Sequence, residues 1–197
     1  MTDEELMLAV REGDLPKLGV LFERYHVALF DFLSRMTGNP TAAEDLVQDI
    51  FVRILSYRAT FRDDGRFETW MFRIARNARA DYFRSRPPVE AIADEALEKP
   101  EKAAGPAHQL ERGREVLRLK RALLMLRDDK RELIVLARYR EMKHEQIASL
   151  LGIEVGAVKV RLHRAVKELR DIFLGLSDEA ASSPWNVKKS ARVLPTI

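Results

Sequence analysis

Apolar residues recur at three- and four-residue spacing along almost the whole chain, which predicts helices and no strands. Leu6, Ala9 and Val10 mark a short first helix from Asp3 to Glu12, closed by Gly13. Asp14 is placed to cap a second, with Pro16 in its first turn, and its apolar face runs Leu18, Leu21, Phe22, Tyr25, Leu29, Phe32, Leu33. Gly38-Asn39-Pro40 stops it. Thr41 and Glu44 have the spacing of a capping box for a third helix, which buries Leu46, Val47, Ile50, Phe51, Ile54 and Leu55. A polar loop from Arg58 to Arg66 carries one isolated aromatic, Phe61. A fourth helix, 67–86, has Phe67, Trp70, Met71, Ile74 and Ala78 as its inner stripe. Its remaining positions interleave Arg73, Arg76, Asn77, Arg79, Arg84 and Arg86 with Phe72, Tyr82 and Phe83.

At Pro87-Pro88 the pattern breaks. Residues 87–110 are rich in Pro and Ala and carry Glu90, Asp94, Glu95, Glu98 and Glu101, the composition of a flexible acidic linker. Periodicity resumes at Leu110, with Val116, Leu119, Leu123 and Leu126 as a buried stripe, then an Asp-capped helix burying Leu133, Ile134, Leu136 and Ala137. The expected fold is therefore all-α: two small helical domains, 1–86 and 111–174, joined by the linker 87–110. Beyond Gly175 no period persists, and 175–197 reads as a mobile tail with Trp185 as its one large aromatic.

The last two helices of the second domain carry the clearest motif. In KHEQIASLLGIEVGAVKVRLHRAVKELR, residues 143–170, Ile147, Leu150 and Leu151 give one apolar face and Gly152 offers a left-handed turn. The following helix turns Val158, Leu162, Ala165, Leu169 and Phe173 inward. It leaves Lys159, Arg161, His163, Arg164, Lys167 and Arg170 outside. Small Ala148, Gly152 four residues on and Val158 six further form a helix-turn-helix pattern, whose second helix enters the DNA major groove. Taken alone, the same residues describe a helical hairpin with a solvated basic face; coincident spacing, turn glycine and one-sided charge favour DNA. In the first domain, the interleaved arginines and aromatics of 67–86 suit phosphates and unpaired bases respectively. Singly, each aromatic is better explained by core packing.

Composition narrows the chemistry. With a formal net charge of only +3, basic residues act through clustering rather than total excess. There is no cysteine, hence no disulfide or thiolate site, and four scattered histidines have no ligand spacing. No phosphate-binding glycine loop or nucleophile–base spacing is present, so no cofactor, metal or catalytic residue is assigned and an enzyme is not expected. No apolar run approaches a membrane span, and the acidic start MTDEELM has no signal-peptide core, so a cytoplasmic protein without membrane insertion is expected.

The order of these parts resembles bacterial RNA polymerase sigma factors of the extracytoplasmic-function type. EDLVQDIFVRIL looks like their polymerase-docking segment, FRDDGRFETWMFRIARNARADYFR like the loop and helix that melt and read the −10 element, and EQIASLLGIEVGAVKVRLHRAVKELR like the helix-turn-helix that reads the −35 element. The resemblance spans about residues 4–173. It implies that Asp45 and Gln48 contact the clamp helices of the polymerase β′ subunit. It places Phe61 and Arg62 in the loop that captures a flipped −10 base, with Arg73, Arg76 and Asn77 bordering the melted strand. It puts Lys159, Arg161, His163, Arg164 and Lys167 on the −35 helix. The implied partners are core RNA polymerase (β′ clamp helices and β flap), promoter DNA and an anti-sigma factor, and the acidic linker would thread the polymerase cleft. Lys143 and Val160 stand where the family often has Ser or Thr. The rival class is a dimeric helix-turn-helix repressor or activator on duplex operators, which has no need of a basic–aromatic helix behind a Phe-bearing loop.

Overall fold

The computed structural model describes residues 1–85 and 106–182, with side chains over 1–85 and 112–176. The expected linker falls mostly outside that range, as does the end of the tail. Among the described residues there are eight α-helices and no strand: α1 (Asp3–Arg11), α2 (Pro16–Thr37), α3 (Pro40–Tyr57), α4 (Phe67–Arg84), α5 (Pro106–Met125), α6 (Asp128–Ile134), α7 (His144–Leu151) and α8 (Val155–Ser182). α5 begins inside the stretch read as linker. α8 continues seven residues past Gly175, because Leu176, Glu179, Ala180 and Ala181 are good helix formers even without an apolar stripe.

Helices α1 to α4 enclose one core and α5 to α8 another, as the apolar periods require. The buried residues of both nevertheless belong to one contiguous cluster, because the two domains pack against each other. Gly38 shows how closely. It ends α2 in the left-handed region at φ 71°, donating to the Ser34 carbonyl at 2.9 Å. A β-carbon there would lie 2.9 Å from a Leu124 methyl of the other domain. Only glycine meets both the backbone and the contact.

Several local expectations change. The cap of α3 is Asn39, whose Oδ1 accepts from the Ala42 N–H at 3.0 Å, rather than Thr41. The cause is Pro40: it fits the first helical position, where an N–H would be orphaned, and forces the preceding residue into extended backbone suited to capping. α2 has no side-chain cap from Asp14; its N-cap residue is Leu15. α1 has an unforeseen capping box, Thr2 with Glu5. Phe72 is fully buried, edge-on to Phe32 at 5.1 Å, and leaves the nucleic-acid face it was read onto. Val116, expected in the core of α5, is 53% exposed, whereas Ala122, Leu123 and Leu126 are buried.

Between α6 and α7 the chain makes a π-helical turn, Val135–Tyr139, followed by Glu141 at φ 52°, a positive value rare for a non-glycine residue. Arg131, one turn earlier, donates to the carbonyls of Leu123, Leu124 and Leu126 at 3.0, 2.6 and 2.9 Å, and across the domain boundary to Met36 at 2.8 Å. One guanidinium thus satisfies the last carbonyls of two helices, where a cation is favoured. Burial pushes its pKa down from the usual arginine value, with Asp128 opposing that shift.

Candidate nucleic-acid interface

Helix α8 presents the basic face that its period predicted. Val158 and Ala165 are fully buried and Leu162 nearly so, which turns Lys159, Arg161, His163, Arg164 and Lys167 to solvent. Gly152 adopts φ 66°, the left-handed turn of the motif, and donates to the Ala148 carbonyl. Lys143 lacks a capping oxygen, so α7 is started differently: the Lys143 N–H donates to Gln146 Oε1 at 2.9 Å. Ala148, Gly152 and Arg161 share a shallow concavity of about 520 Å³ at the helix-turn-helix corner.

A second, larger concavity of about 1140 Å³ lies between α4 and the start of α7. The Phe61 loop forms one wall and α4 contributes Trp70, Arg73, Asn77 and Arg84. Arg53 and Tyr57 enter from α3, and Lys143, Gln146 and Ser149 from the second domain. Of the residues expected at the −10 element, Arg62, Arg73 and Asn77 meet here with exposed side chains. Part of the local charge is already compensated. Arg53 pairs with Asp49 at 2.8 Å and Asp81 at 2.6 Å, and Arg62 forks onto Asp64 at 3.0 and 3.2 Å. The Arg53 hydrogen bond holds Asp81 below its usual carboxylate range. Arg66, Arg73 and Lys143 make no ion pair among the described residues, so their positive charge in the cleft is uncompensated there.

Phe61 departs from its expected place. It is 1% exposed, edge-on to Trp70 at 5.4 Å and near Phe67 at 6.3 Å. The apolar neighbours it lacks in its own loop come from α4. Arg11 secures the loop from α1, donating to the Phe61 carbonyl at 3.0 Å and to Asp63 at 2.5 Å. Glu4 accepts from the Phe67 N–H at 3.3 Å and so caps α4 from a distant helix. The loop's polar tip faces the cleft while its aromatic side chain anchors it.

Arg76 also differs. Its Nε lies 2.8 Å from Glu132 Oε1 and its Nη1 donates to the Leu150 carbonyl at 3.2 Å, so it faces the second domain rather than the cleft. Arg79 is buried and pairs with Asp128 at 2.8 Å. Asp45 and Gln48 are exposed on α3, two turns and one turn before Val52, which is 63% exposed; the three form one outward stripe. Sequence reasoning missed Arg66, Tyr57, Lys143 and Ser149 as cleft residues. The basic character of 58–66 could have suggested Arg66; nothing local to the helix-turn-helix places Lys143 opposite α4.

Residues 21–87 match Sigma-70 region 2, and residues 116–169 match Sigma-70, region 4. The RNA polymerase sigma factor CarQ of Myxococcus xanthus is 34% identical over 172 residues, covering 87% of this chain and 97% of CarQ. This chain belongs to the sigma-70 family, as a sigma factor of the extracytoplasmic-function type. The sigma factor SigW of Bacillus subtilis is 30% identical, over 82% of this chain and 91% of SigW. Among solved structures, CnrH in complex with the cytosolic domain of CnrY superposes with a TM-score of 0.67 at 28% identity, covering 88% of this chain and 97% of that one. The sigma factor RpoE of Bartonella quintana, solved with the anti-sigma factor NepR, gives 0.62 at 25% identity, covering 78% and 94%.

Membership decides against the dimeric repressor reading: the protein is an alternative sigma factor. Sigma factors are not enzymes. Among the described residues, no helix is long and apolar enough to cross a membrane, and no group of three or more His, Cys, Asp or Glu could hold a metal ion.

Proposed function

We propose that the sigma factor divides initiation between its two domains. The first docks on the β′ clamp helices of core RNA polymerase through the α3 stripe of Asp45 and Gln48, and holds the −10 strand in the α4 cleft with Arg62, Arg73 and Asn77. The second reads the −35 element with Lys159, Arg161, His163, Arg164 and Lys167 on α8, against the β flap. What supports this reading is the presence of two separate basic surfaces in one chain, a convex helix fit for a duplex groove and a concave cleft fit for a strand. Phe61 serves this reading as the buried anchor of the −10 loop. Arg62 at the tip makes the contact. Unpairing the −10 bases costs free energy that their capture offsets. Polymerase, by holding both domains, raises the effective concentration of each DNA contact. An anti-sigma partner is part of the same proposal, since RpoE, a structural relative, was solved with one.

The direct test is transcription by core polymerase from a promoter library, with and without the protein. Protein-dependent start sites that share two spaced motifs support the proposal, and no dependence on the protein would sink it. The docking claim has its own test. Asp45→Ala with Gln48→Ala removes only exposed groups, so the helical circular dichroism signal should stay. Affinity for core should fall by about 1–2 kcal/mol, the range of a small interface hot spot. Unchanged affinity, measured by fluorescence anisotropy with labelled protein, would remove this stripe from the docking surface.

A further inference from the structure

Apart from the buried Phe61 ring, the loop 61–66 shapes its own turn but does not fix that turn to the domain. Its own bonds are short-range. The Phe61 N–H donates to the Arg58 carbonyl at 3.2 Å, the Gly65 N–H donates to the Arg62 carbonyl at 2.9 Å, and Arg62 forks onto Asp64. Among the described residues, the hydrogen bonds that tie residues 61–67 to a sequence-distant element all come from α1. Arg11 Nη1 donates to the Phe61 carbonyl at 3.0 Å and to Asp63 Oδ1 at 2.5 Å, and so brackets Arg62 from both sides. Glu12 accepts from Arg11 Nε and Nη2 at 3.3 Å each, which orients the guanidinium. Glu4 accepts from the Phe67 N–H at 3.3 Å, where the loop enters α4. That N–H is one of the orphan donors of a helix start, and the N-cap residue, Arg66, supplies no side-chain oxygen for it.

α1 is itself firmly seated. Leu6, Met7 and Val10 are buried, and Asp3 accepts from Arg24 at 2.6 Å and from the Tyr25 hydroxyl. Tyr25 lies edge-on to Phe67 at 5.3 Å, so α1 and α2 register on the same end of α4. The match to Sigma-70 region 2 begins at residue 21, downstream of this helix. The Arg11–Asp63 pair is a poor source of stability, because Asp63 is 76% exposed and exposed ion pairs contribute little. Its consequence is geometric. A guanidinium is a rigid fork that loses little freedom per hydrogen bond formed. Here its two acceptors belong to the residues before and after Arg62, so the Arg62 backbone is set from α1.

We propose that α1 belongs to the −10 reading apparatus, with Arg11 and Glu4 as positioning residues that set where Arg62 stands in the α4 cleft. They act through the Arg62 backbone and the first turn of α4. This role rests on the loop being the −10 contact. Without the α1 grip the Phe61 ring still tethers the loop, but the tip can tilt and Arg62 discriminates less between bases. Attraction to phosphates, which carries no sequence information, remains.

The experiment has a promoter arm and a loop arm, both on the full-length protein. In the first, holoenzyme transcribes a set of single-base −10 variants and a set of −35 variants. Arg11→Gln should compress the ratio between the best and worst −10 variants by about fivefold or more, comparable to the effect of one mismatched base pair. The −35 ratios should not change. Arg11→Lys keeps a charged donor and should recover most of the −10 ratio. Asp63→Asn should act in the same direction but less, and should add little to Arg11→Gln, because the two side chains share one contact. In the second arm, Asp64→Cys carries a spin label, unique because the chain has no cysteine. Arg11→Gln should raise the mobility of that label in the free protein, and Arg11→Lys should lower it again. An Arg11→Gln protein that loses activity by the same factor on every −10 sequence, or whose label is as immobile as in the wild-type background, overturns the proposal; Arg11 is then only a staple for α1. Arg62→Ala separates this from the underlying reading. If it leaves the −10 ratios unchanged, the loop is not the −10 contact, and its place in the proposed function falls together with the positioning role. If it flattens them while Arg11→Gln does not, only the positioning role falls.

Discussion

Phe61→Ala should lower the unfolding free energy by about 3–5 kcal/mol, the usual range for truncating a fully buried Phe. The ring contacts Phe67 and Trp70 and closes the underside of the cleft, so its loss leaves a cavity that α1, α3 and α4 can fill only by shifting. Its own loop supplies no replacement, since Arg62, Asp63 and Asp64 are polar and exposed. Urea titration followed by helical circular dichroism checks the figure. A loss below about 1 kcal/mol would show that the loop, not the ring, carries the anchor. The functional effect should follow the structural one. Promoter opening should fall, read as permanganate reactivity of −10 thymines, because Arg62 would no longer be held at the cleft. A premelted −10 bubble should not restore it fully, since geometry rather than unpairing cost is what the substitution removes. Phe61→Leu should retain most of the stability and most of the opening, which a base-stacking role for the ring would not allow.

The second large effect is expected on α8. Arg161 and Arg164 are exposed, and the residues that follow each of them, Leu162 and Ala165, carry the packing. Replacing both arginines with Ala should leave the melting temperature nearly unchanged, as surface substitutions usually do. Each lost base contact should weaken −35 binding by about 1–3 kcal/mol and relax the sequence preference at one position. Each lost phosphate contact should weaken all sequences alike and reduce the salt slope by about one. Holoenzyme binding to a set of single-base −35 variants at two salt concentrations separates the outcomes. Unchanged affinity, preference and slope in the double variant would move DNA reading off this helix.

The two proposed reading surfaces have opposite relations to the fold. The basic face of α8 is independent of the first domain; its residues point outward because their neighbours at three and four positions point inward. The α4 cleft is a product of assembly. Its wall is pinned by Arg11 from α1, its rim includes Tyr57 from α3, and its far side is Lys143 and Ser149 from the second domain.

Sequence alone determined the helices, the two-part division and the motif geometry, because these depend on near neighbours. A 3.6-residue period selects an inner face wherever Val, Leu and Ala recur, and steric limits at φ above zero make Gly152 the turn between α7 and α8. Asp45, Gln48 and the basic residues of α8 were legible as exposed for the same reason. Tertiary structure decided what meets what. Phe61 is buried because α4 brings Trp70 and Phe67 over a loop with no apolar residue nearby, and Val116 is exposed because no element covers that end of α5's stripe among the described residues. Arg76 and Arg79 look identical in pattern to Arg73, yet Glu132 and Asp128 lie 56 and 49 residues away, and Arg131 finds the Met36 carbonyl at a separation of 95. Periodicity states which side of a helix is polar. Whether a guanidinium on that side meets solvent, a carboxylate or a strand depends on long-range packing, which local spacing does not encode.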